Sequence, residues 1–144
     1  MIRVIGMLSI VATLLLAPQA AMAESSDASN KAKVVAPKPL LNQSIPEKLT
    51  QEEVKSLMVK AGLKRNWIIK EEQTDLMFAE IYVRSHYVAV DIKLHDGQYD
   101  ILYRDSDNMK YNPDSGYIHR KYKGWVKNLS GDIQSELGKA AIQK

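Results

Sequence analysis

The chain has 144 residues, with 20 Lys and Arg against 17 Asp and Glu, a formal net charge of +3, and no cysteine. The missing cysteine excludes a disulfide framework, a thiolate metal site, a cysteine nucleophile and the acylated cysteine of a bacterial lipoprotein. Mixed charge with no recognition motif argues against nucleic acid as a partner.

Arg3 supplies a short positive start, Val4 to Ala17 form an apolar run, and Ala21-Met22-Ala23 is an A-x-A cleavage signal. This order predicts a secretory signal peptide over 1–23, cut between Ala23 and Glu24. Pro18 stops the apolar run short of the roughly 20 residues a membrane-spanning helix needs, so no transmembrane segment is expected after cleavage. A small exported chain without cysteine fits a Gram-negative periplasm, or secretion. Residues 24–46 are rich in Ser, Ala, Asn, Lys and Pro, with Val34-Val35 and Leu40-Leu41 as their only apolar pairs. They read as a flexible linker ahead of a single domain over 47–140.

Thr50 and Glu53 form a T-x-x-E capping box, and Leu49 with Val54 sit at the two positions of a hydrophobic staple. A helix starts there, with Val54, Leu57, Met58 and Ala61 on one face and Gly62 as a left-handed cap. From Trp67 the apolar period becomes two, predicting strands at 67–72, 76–84, 87–94 and 99–105. The Asp96-Gly97 pair marks the most secure of the tight turns between them. Ile118, Tyr122, Trp125, Val126, Leu129, Ile133 and Leu137 then follow the spacing of a long amphipathic helix, along which Gly124, Gly131 and Gly138 form a stripe. The expected fold is α+β: a four-stranded antiparallel meander with an N-terminal and a C-terminal helix on one face, in the order α-β-β-β-β-α.

Three motifs carry a resemblance. Arg84-Ser85-His86 is an R-x-H strand end. Tyr99, Ile101, Tyr103 and Asp105-Ser106 form Y-x-I-x-Y-x-D-S. Ile118-His119, Tyr122 and Trp125 form I-H-x-x-Y-x-x-W. With Asn108, Tyr111, Leu129 and Asp132-Ile133, they make residues 50–137 resemble a group of small proteobacterial periplasmic proteins and lipoproteins. That resemblance implies a fold and a compartment and carries no known activity. Ala23-Glu24 stands where the lipoprotein members have a cysteine.

His86, His119, Asp105 and Ser106, with Arg84, would bring a base, an acid and a hydroxyl to one sheet end, as a small envelope hydrolase requires. No G-x-S-x-G elbow accompanies Ser106, so hydrogen bonds that fasten the 106–116 loop are the plainer reading. His86, His95 and His119 lack metal-ligand spacing, and Asp105-Ser106-Asp107-Asn108 departs from a calcium loop at Met109, Lys110 and Gly116. No metal or cofactor is expected.

Phe78, Tyr82, Tyr87 and Leu102 share the second sheet face with Arg84, Arg104 and other charged residues, a mixture suited to a peptide, a glycan or an envelope protein. Cross-strand pairing on a solvated face is the plainer account. Arg120, Lys121, Lys123 and Lys127 place positive charge at the start of the second helix, where an anion such as a lipid head group or a cell-wall carboxylate would be welcome. The resulting expectation is a non-enzymatic envelope binding protein using Arg84, His86, Phe78, Tyr82, Tyr87, Arg104, Arg120 and Lys123. The hydrolase stands second.

Overall fold

A computed structural model describes residues 34–144. The signal peptide and the first part of the linker lie outside the described residues. Nine elements follow in order: β1 (Val34–Val35), β2 (Leu40–Ser44), α1 (Gln51–Leu63), β3 (Trp67–Gln73), β4 (Leu76–Val83), β5 (His86–His95), β6 (Gln98–Asp107), β7 (Ile118–His119) and α2 (Lys121–Ile142).

This order corrects the expected four-stranded meander. The main sheet is antiparallel and five-stranded, in the order β2-β6-β5-β4-β3, and β1 and β7 form a separate two-stranded sheet. Strands β1 and β2 come from the stretch read as linker. Leu40 pairs with Ile101 and Ser44 with Gln98, while Val34 pairs with His119 and Val35 with Ile118. Two apolar pairs are too few to build a core, but docking on strands already formed requires only that they cover an edge and satisfy its backbone groups. Leu40 packs against the main core in doing so.

Helix α1 begins as its capping box dictates. The Glu53 amide donates to Thr50 Oγ1 at 3.3 Å, and the Thr50 amide donates to Glu53 Oε2 at 2.8 Å. It does not end at Gly62. The helix continues to Leu63, and the left-handed residue is Asn66, with φ of 65°. Gly62 has a different task, because a Cβ there would lie 2.7 Å from Ile69 Cδ1 and 3.2 Å from the Trp67 carbonyl oxygen. The missing side chain lets α1 rest on β3.

Strands β3 to β6 connect by short turns, and Asp96 and Gly97 both take positive φ, 46° and 71°, as a two-residue hairpin of the I′ kind demands. Trp67, Met77, Val88, Val90, Ile92, Tyr99 and Ile101 fill one buried cluster with Val54 and Met58 of α1 and Leu129, Ile133 and Leu137 of α2. Both helices therefore cover the same sheet face. Ile118 is buried in β7 rather than in the helix, which starts at Lys121. No helix among the described residues is long and apolar enough to cross a membrane.

The helices are also joined through a charge. Glu136 of α2 has a side chain only 4 % exposed, and its carboxylate accepts Lys60 Nζ at 2.8 Å and Lys64 Nζ at 2.6 Å, both reaching from the end of α1. Those hydrogen bonds hold its carboxyl down at about 2. A carboxyl depressed from an ordinary value of 4.5 contributes stability that is complete above that value and lost as the pH falls towards 2. Urea unfolding at pH 7 and pH 3 is expected to show a smaller acid loss in Glu136→Gln than in the parent chain. Equal losses would remove this pairing from the account.

Candidate functional site

A bulge decides which sheet-end residues meet. The register between β5 and β6 shifts so that Ala89 faces Asp105 while Val90 faces Tyr103, leaving Arg104 as the additional residue. Regular alternation would keep Asp105 on the face of Tyr103. The bulge instead sets Ser106 opposite the buried Val88, with its hydroxyl 2.9 Å from the Tyr103 hydroxyl. Asp105 goes opposite Ala89, is exposed, and accepts the Ser106 amide at 2.8 Å. Among the described residues that carboxylate makes no hydrogen bond or ion pair with the Ser106 hydroxyl or with either histidine.

His86 and His119 do come together, with ring centroids 6.4 Å apart, and the Trp125 ring meets His86 edge-on at the same separation. Each ring is held by backbone. His86 Nδ1 lies 2.6 Å from the Asn108 carbonyl, which can only accept, so that nitrogen donates. His119 Nδ1 accepts the Lys121 amide at 3.2 Å, giving α2 the cap that Arg120 does not supply. Burial pushes the His119 imidazole below its ordinary value, and Lys121 and Lys110 add to the effect. Arg84 is exposed in the β4–β5 turn at φ of 58°, and neighbouring Ser85 accepts Asn108 Nδ2 through its hydroxyl at 2.8 Å. These contacts fasten the 106–116 loop to the sheet. They set neither imidazole against the Ser106 hydroxyl or the Asp105 carboxylate, as nucleophilic catalysis would require.

The second sheet face largely satisfies itself. The Arg104 guanidinium lies 4.7 Å over the Phe78 ring and donates to both Glu72 oxygens, at 2.8 and 2.9 Å, and to Asp91 at 3.1 Å. The Tyr87 hydroxyl donates to Glu80 at 3.1 Å, and its ring lies 4.7 Å from that of Tyr82. Burial, with the Glu80 carboxylate beside it, pushes the Tyr87 phenol up to about 12. Tyr82, 62 % exposed, is the large hydrophobic side chain this face leaves most open to water.

A groove of about 650 Å³ lies elsewhere, between the 34–40 segment and the first turns of α2. Val34, Val35 and Leu40 line one side, and Tyr122 and Val126 the other. Lys38, Lys123 and Lys127 complete it. All three lysines are exposed, no acidic side chain lines the groove, and none of the three has a carboxylate within 4.0 Å among the described residues. The volume falls in the range of small-molecule sites, about 300–1,000 Å³. Of the residues singled out from sequence, Lys123 lines this groove; Arg120 is exposed at the helix start, and Arg84, His86, Phe78, Tyr82, Tyr87 and Arg104 lie outside the lining. The residues that sequence reasoning passed over are those of the 34–40 wall. Their signal was the V-V-A-P-K-P-L-L pattern, two apolar pairs around two prolines, which suits an edge strap as well as a linker.

A scan of protein-family models finds no match to this chain, and neither the curated proteins nor the solved structures yield one.

Proposed function

We propose that this chain is an exported, non-enzymatic binding domain of the cell envelope, and that its ligand is seated in the groove between residues 34–40 and the start of α2. One observation carries the reading: apolar walls and three exposed lysines without acidic partners among the described residues enclose a volume of small-molecule size. A concave apolar site with a few convergent polar groups is the usual form of a ligand seat. The self-paired charges of the outer sheet face and the backbone-held histidines support the groove over both alternatives.

The reading has two separable tests. For export, mass spectrometry of the protein recovered from the periplasmic fraction is expected to find a chain beginning at Glu24; an intact N-terminus in the cytoplasmic fraction rejects it. For the seat, amide shifts in the labelled protein are followed while envelope extract is added. Saturable shifts are expected at Val35, Leu40, Tyr117 and Val126. Shifts confined to Phe78, Tyr82 and Arg104 would transfer the role to the sheet face, and shifts at His86, Ser106 and His119 with product formation would establish an enzyme.

A further inference from the structure

We infer that the groove binds a single-chain anionic amphiphile, with the alkyl chain along its apolar walls and the acidic head on Lys38, Lys123 and Lys127. This rests on the groove being the ligand seat and adds the chemistry of what it takes.

Three features of the walls select that chemistry. The first is charge. Three ammonium groups and no carboxylate line the groove, so an anionic head gains and a cationic one loses. The second is the shortage of backbone donors over Pro37 to Pro39. Pro37 and Pro39 have no amide hydrogen, and the amide between them, that of Lys38, is already bonded to the Ala36 carbonyl at 2.8 Å. A peptide laid along these three residues finds no free amide to pair with, a cost an alkyl chain does not carry. The third is Tyr122. It lines the groove and is only 2 % exposed, so its ring adds flat apolar surface to the wall that would receive the alkyl chain. Exposed lysines on long stems suit the same task, since their methylenes extend the apolar wall while their ammonium groups stay in water.

The test is calorimetric titration of the purified protein with sodium dodecanoate below its micelle concentration, followed by decanoate, tetradecanoate and dodecyltrimethylammonium. One dodecanoate per chain is expected. Each methylene removed should weaken binding by up to about fourfold, which corresponds to about 0.8 kcal/mol at 1.36 kcal/mol per decade. The charge-reversed pair Lys123→Glu with Lys127→Glu, both exposed positions, should weaken dodecanoate at least tenfold and bring the cationic amphiphile to comparable strength. Equal binding of the two amphiphiles by the parent chain, or affinity that ignores chain length, overturns the inference. So does tighter binding of a decapeptide alternating leucine and glutamate, whose amide shifts in the groove would leave the seat standing while replacing its occupant. Dodecanoate shifts that map away from the groove overturn both the inference and the proposed seat.

Discussion

Trp67→Ala is expected to lower the free energy of unfolding by about 3–5 kcal/mol, against the 5–15 kcal/mol available to a domain of this size. Trp67 opens β3, pairs with Ile81 of β4 and is 1 % exposed, among the largest side chains fully enclosed by α1 and the sheet. Truncation removes its apolar surface and leaves a void that Met58 and Ile81 fill only by moving from close-packed positions. Urea unfolding monitored by circular dichroism measures the loss as a shifted midpoint at unchanged slope. A loss below about 1 kcal/mol would mean that the β3 edge is far less tightly held than its burial indicates.

The second large effect is a change of sign between two glycines in helices. Alanine normally stabilises a helix interior by about 1 kcal/mol relative to glycine, and Gly131→Ala is expected to do so, because a Cβ there meets nothing within 4 Å. Gly62→Ala should instead destabilise by about 1–3 kcal/mol. Its Cβ would press on Ile69 Cδ1 at 2.7 Å and Cγ1 at 2.9 Å, and overpacking of this kind exceeds the helix gain. Thermal unfolding of the two variants separates the cases, and an upward shift in both would show that Ile69 yields freely. A Cβ at Gly124 or Gly138 likewise meets nothing within 4 Å among the described residues.

Much of the fold was legible where local chemistry and periodicity agreed. The capping box at Thr50, the period-two runs after Trp67 and the Asp96-Gly97 turn each act within a few residues, and the structure realises all three. What escaped reading depends on distant partners. Val34-Val35 and Leu40-Leu41 become strand residues only because β7 and β6 offer edges far along the chain, and no local window contains that information. Gly62 looked like a helix end because its reason for being small lies on β3. The Arg104 bulge inverts the face of Asp105 and Ser106 through a shift of register that alternation alone does not signal. The candidate site followed the same division. Lys123 was found from a run of charge, whereas the opposite wall was invisible until the strap had a place to dock.

The strap that forms this wall has a consequence for the order of assembly. Val34 and Val35 are made long before their partners, Ile118 and His119, and closing so large a loop is slow compared with forming the β3–β6 hairpins. The groove is therefore completed last. A chain lacking its final helix retains the residues of one wall but nothing to hold them across from, so binding in the proposed seat would report on whether residues 34–142 have folded together.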